Sequence, residues 1–178
     1  FMKYYGNSGV AAFSIACYLF PLMFMMSNAV AQSAQPIISY NYGAGATSRV
    51  KQAFALSIRV AFICGIIAFC ALAFGAGQIV QLFIDPECDA GRLACAGLPI
   101  YATCAIFFSI NISFIGYYQS IEKAFKAMIF TLMRGVVFLV PLFCIMPVLF
   151  PSWGIWAAIP ASEALTLLII TATYYYSK

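Results

Sequence analysis

Long apolar runs, separated only by short polar or Gly/Pro-containing breaks, divide almost the whole chain. A membrane-spanning helix needs roughly 20 predominantly apolar residues. Five stretches meet that length: about Gly9 to Tyr42, Val60 to Ile84, Leu93 to Gln119, Ala127 to Phe150 and Trp153 to Tyr176. Each is continuous and much longer than the roughly ten alternating residues of a barrel strand. The expected fold is all-α, a polytopic transmembrane helix bundle of about five spans. Composition agrees, because only 8% of the 178 residues are charged and 65% are hydrophobic, against roughly 25% charged in a soluble domain. A water-soluble fold of this size cannot bury so much apolar surface.

Several function classes drop out on charge and residue type. The nine Lys and Arg outnumber five acids for a net charge of +4, but they are scattered beside apolar runs and form no nucleic-acid footprint. There is no His, which removes the commonest general base and metal ligand. A membrane-embedded enzyme would need clustered His, Asp or Glu at one depth, and Glu163 is the one acid inside an apolar run. Of seven Cys, six (Cys17, Cys64, Cys70, Cys95, Cys104 and Cys144) lie in or beside apolar spans and read as small hydrophobes. Cys88 lies in a polar loop, within reach of pairing with Cys95 in sequence.

Lys and Arg of short loops stay cytoplasmic. Arg49 and Lys51 fall between spans one and two, Lys123 and Lys126 between three and four, and Lys178 after five. The opposite side has Lys3 and Arg92 with Asp85, Glu87 and Asp89. The N-terminus is therefore predicted external and the C-terminus cytoplasmic, in the cell membrane. An external start without a charged leader needs an earlier span to deliver it, so the chain reads as the C-terminal piece of a longer protein.

Polar residues inside spans mark candidate sites. Asn28, Gln32, Gln35 and Ser39 advance by four, three and four residues, one stripe down a helix. Such a stripe must face other helices or water. Two readings stand: interhelical glue, or the wall of a solvated pathway bracketed by Pro21 and Pro36, which loosen the helix. Thr103, Phe107, Asn111, Phe114 and Tyr118 form a second, largely aromatic stripe on span three. It is either ordinary packing or a lining for flat, lipophilic or cationic molecules.

Three charges sit in or near apolar runs. Arg59 is placed at the cytoplasmic end of span two, where its stem can snorkel to the interface. At about 1.5 Å per residue, Glu163 lies roughly 15 Å below the external surface and Arg134 about 8–10 Å above the cytoplasmic one. Spans four and five are joined by a short turn at Pro151 and Ser152, leaving a depth gap of about 6 Å that an extended Arg can cross. Glu163 is thus either an ion-pair partner of Arg134 or a cation- or proton-binding group in a cavity.

Four phrases, in order, carry a family resemblance: QSAQPIISYNYGAG (Gln32 to Gly45), FFSINISFIGYYQS (Phe107 to Ser120), RGVVFLVP (Arg134 to Pro141) and WAAIPASE (Trp156 to Glu163). Together they resemble multidrug and toxic compound extrusion (MATE) transporters, most closely bacterial members with the SYNYGA phrase. The resemblance implies a two-lobe protein of twelve helices, of which this chain matches most of the C-terminal six-helix lobe, helices eight to twelve. It implies a secondary antiporter, not an enzyme, that exports amphipathic, often cationic compounds in exchange for H⁺ or Na⁺. Its partners are those small molecules, the bilayer and the N-terminal lobe of the same polypeptide, and it has no cofactor. On this basis Asn28, Gln32, Gln35, Ser39, Phe107, Asn111 and Tyr118 are expected to line the cavity. Asn111 stands where some Na⁺-dependent relatives have an acid; its amide oxygen can coordinate Na⁺ but cannot carry a proton. A flippase for lipid-linked intermediates shares the two-lobe architecture and is the alternative, though its phosphate cargo calls for several cavity cations.

Overall fold

The computed structural model describes residues 2–151 and 153–176, with side chains from residue 6 onward. Lys178, Ser152 and the side chain of Lys3 lie outside the described residues. The first span is α1 (Met2–Gly43), with a break at Gly6, whose φ of 61° suits a residue without Cβ. The second is α2 (Thr47–Phe74), followed by the short α3 (Ala76–Gln81). The third is α4 (Asp89–Ala102) continued by α5 (Cys104–Ser120). The fourth joins α6 (Ala124–Leu132), a wide π-type turn (Met133–Val137) and α7 (Leu139–Leu149). The fifth is α8 (Gly154–Tyr176). Five helical segments are therefore long and apolar enough to cross a membrane, and the described residues contain no strand.

Four of the helical segments coincide with the apolar stretches to within about seven residues at each end. The second does not, since it runs from Thr47 rather than Val60 and ends at Phe74 rather than Ile84. Lys51, Gln52 and Arg59 interrupt the apolar run without ending the helix, because each retains an N–H for the helical ladder and has good helix propensity. Gly75 then breaks the helix; a Cβ there would strike the Ala71 carbonyl. Two consequences follow. Arg49 and Lys51 lie on the first turns of α2, and Arg59 lies further along that helix, exposed.

At the centre stands α5, packed against α1, α2, α6 and α8. Close approaches use small residues, as between membrane helices generally. A Cβ on Gly65 of α2 would come 2.8 Å from the Ile106 Cα, and one on Gly97 of α4 would enter the Trp156 ring. One apolar cluster surrounds Trp156, Tyr101 and Leu98; another joins Phe54, Phe114, Tyr118 and Ile170. In the second, the Phe54 ring lies tilted against Tyr117 at 4.2 Å and edge-on to Phe114 at 5.1 Å between ring centroids. The fourth span stands at the edge, with 6% of its most apolar window buried, as a lipid-facing helix does. Cys88 and Cys95, a conceivable pair, are both free thiols.

Candidate functional site

Two polar constellations occupy the membrane-spanning segments. The first is a cleft of about 460 Å³ between α1 and α5, lined on α1 by Asn28, Gln32 and Gln35. From α5 it takes Ile112, Ile115, Gly116 and Gln119. Gln35 donates from Nε2 to the Gln119 Oε1 at 2.9 Å, and Asn28 donates to its own helix at the Phe24 carbonyl. The helices approach closely here because Gly116 faces Ala31 and Gln35; an added Cβ would lie 3.3 Å from the Ala31 Cβ. Ser39 is not part of the cleft. Its hydroxyl donates to the Ser120 carbonyl at 3.3 Å and ties the two helices beyond the cleft. The stripe on α1 divides along its length. Gln35 and Ser39 bind to α5, Asn28 bonds within its own helix, and Gln32 is exposed in the cleft.

The second constellation is a closed charge cluster. Arg134, on the π-type turn, reaches the Glu163 Oε1 with Nη2 at 2.9 Å and with Nε at 3.1 Å. Asn111 donates through Nδ2 to the other carboxylate oxygen, Oε2, at 2.8 Å and to the Glu163 carbonyl at 2.9 Å. Ser162 donates to the Arg134 carbonyl at 2.9 Å. The guanidinium lies over the Phe108 ring, 4.3 Å from its centroid. Glu163 and Arg134 are 5% and 11% exposed at their side chains, so the pair is desolvated from both sides. The widened turn helps to place Arg134: the Phe138 N–H bonds back to Met133, and Pro141 has no N–H to continue the ladder.

Three α5 residues expected to line a cavity, Phe107, Asn111 and Tyr118, do not line the cleft between α1 and α5. Asn111 is wholly buried in the charge cluster, and Tyr118 is buried against Phe130 with its hydroxyl unpartnered among the described residues. Phe107 is half-buried and lines neither constellation. The reason is rotational. Residues 111 and 118 share the face of α5 turned to α6 and α8, whereas Gln119 lies about 100° further round, toward α1. Gln119, Phe108 and Ser162 were missed; each is a neighbour in sequence of a residue that was singled out, and only the helix azimuth distinguishes them. As a Na⁺ ligand set the cluster fits poorly. The Asn111 Oδ1 is unpartnered, but both carboxylate oxygens are already engaged and a guanidinium stands beside them. Among the described residues no group of three or more His, Cys, Asp or Glu could hold a metal.

Five helices long and apolar enough to cross a membrane, with a polar cleft set among them, define a polytopic membrane domain. The MatE family model matches residues 1–145, and the chain belongs to that family of MATE transporters. It is 27% identical over 97% of its length to a FAD transporter of Shewanella oneidensis, and spans 37% of that protein. It is 28% identical over 98% of its length to an uncharacterized transporter of Saccharomyces cerevisiae, and spans 25% of it. Its fold superposes on the outward-facing form of a multidrug resistance MATE family transporter of the MOP superfamily with a TM-score of 0.86. That match covers 96% of this chain and 40% of the other at 19% identity. A MOP superfamily transporter from Pyrococcus furiosus, described as having a binding pocket of reverse polarity, matches with a TM-score of 0.83 over 95% of this chain, 38% of that chain and 19% identity.

Proposed function

We propose that this chain forms part of a secondary antiporter that exports amphipathic small molecules across the cell membrane in exchange for H⁺ or Na⁺. The observation that carries this reading is the α1–α5 cleft, where carboxamides face open space inside helices that lipid would otherwise require to be apolar. Transport by alternating access needs a second body for this lobe to move against, in keeping with a chain that spans 37% of its Shewanella relative. Coupling to H⁺ or Na⁺ would draw on groups beyond the Glu163 cluster, whose carboxylate is already neutralised by Arg134. In the full-length transporter, Gln32→Leu and Gln35→Leu should each lower export of a cationic dye while membrane insertion stays normal. Unchanged export in both variants would remove the cleft from the pathway.

A second reading, export of an anionic amphiphile, rests on the likeness to a FAD transporter, and Arg59, which lines neither cleft, is the residue that tests it. Arg59 is exposed within α2 and has no carboxylate partner among the described residues. A cation held there suits a nucleotide cofactor or the phosphate of a lipid-linked intermediate better than a cationic drug. The readings separate with Arg59→Gln, which should impair export of FAD or a lipid-linked phosphate and spare a cationic dye.

A further inference from the structure

A second cleft, of about 640 Å³, runs between α1 and α2 on the surface of the lobe. Its lining changes character along its length. At the end near the α1–α2 turn stand Asn41, Arg49 and Gln52; further along come Ile37, Leu56 and Val60. Arg49 is exposed and has no carboxylate partner among the described residues. The first turn of α2 beside it has neither an acidic residue nor a side-chain cap, so its N–H groups add to the positive field. From Arg49 to Val60 the cleft extends about 17 Å along the helix at about 1.5 Å per residue. That is close to the ~15 Å of a single leaflet in a hydrocarbon core about 30 Å thick.

We propose that this cleft binds an anionic phospholipid of the bilayer, with the phosphate at Arg49, Gln52 and the start of α2 and one acyl chain along Ile37, Leu56 and Val60. Three properties on one groove select that occupant: a free cation at one end, a remainder that is largely apolar apart from Ser33 and Ser57, and a length close to that of one leaflet. A soluble anion would leave the apolar part wet, and a neutral chain would leave Arg49 without a counterion. The Lys and Arg bias places Arg49 at the cytoplasmic side, the leaflet in which anionic lipids accumulate. The lipid is distinct from the cargo, so this site stands whether the protein exports cations or anions.

The test uses the full-length transporter, purified after incubation with vesicles of phosphatidylcholine alone or with added phosphatidylglycerol, and counts retained lipids by native mass spectrometry. Phosphatidylglycerol should be retained over phosphatidylcholine. Arg49→Gln should weaken its retention about fivefold, the worth of one cation near an anionic surface. Leu56→Trp keeps the charge but fills the chain end, and should lower retention of both lipids. Glycerol phosphate, the headgroup anion without a chain, should not compete. Competition by glycerol phosphate would make the ligand a soluble anion and overturn the proposal. Equal retention by the parent and both variants, or no retention at all, would overturn it too, and the latter would assign the cleft to another segment of the polypeptide.

Discussion

Arg134 and Glu163 meet inside the lobe, guanidinium Nη2 to carboxylate Oε1 at 2.9 Å, and join the π-type turn of the fourth span to α8. The second carboxylate oxygen is taken by Asn111 from α5, so one buried acid holds three helical segments. Such a pair adds little over an apolar replacement, but separating it is expensive because the surviving charge stays buried.

Glu163→Gln should therefore destabilise the full-length protein by about 3–5 kcal/mol, read as a lower thermal midpoint in detergent and a lower membrane level. Adding Arg134→Gln should recover part of the loss, since it removes the orphaned cation. Normal abundance with lost export in Glu163→Gln would instead make the residue a transport acid.

Asn111→Leu conserves volume and removes the amide that donates to Glu163 at two points. A hydrogen bond to a charged group contributes about 1.5–3 kcal/mol, and the thermal midpoint should fall accordingly. The same change made in Glu163→Gln should cost clearly less, because the charge it served is gone. Equal losses in the two backgrounds would uncouple the residues.

Gly97→Ala places a methyl into the Trp156 ring, and overpacking of this kind costs about 1–3 kcal/mol. Gly77→Ala is the control, having nothing within 4 Å of the added Cβ. It should leave stability level or raise it by about 0.5–1 kcal/mol through the helix preference for Ala. Thermal unfolding of the two variants should diverge in sign.

Cys88 stands exposed before α4, where its sulfur accepts the Gly91 N–H at 3.3 Å. Cys17 and Cys144 are exposed too, but on helices long and apolar enough to lie within a membrane. An impermeant thiol reagent applied to whole cells should modify the full-length protein at Cys88 and fail on Cys88→Ser, which keeps a capping side chain. Modification only after the membrane is opened would invert the topology.

The membrane class and the all-α fold were legible in the sequence because each depends on quantities that run along one chain, and the same count brought Glu163 within reach of Arg134 while leaving open whether the two would pair. Apolar length sets the spans, and counting residues at a fixed rise sets depth. The extent of α2 was not legible, because an apolar run reports where lipid begins, whereas a helix continues as long as its N–H and C=O groups pair. Nor was the azimuth of α5. It carries polar or amphipathic side chains on several faces, with α1, α2, α6 and α8 packed around it, so no single stripe declares which face opens. Tertiary packing turned Asn111 and Tyr118 inward and left Gln119 toward α1. The physical reason is that depth is a property of one helix and orientation a property of its neighbours.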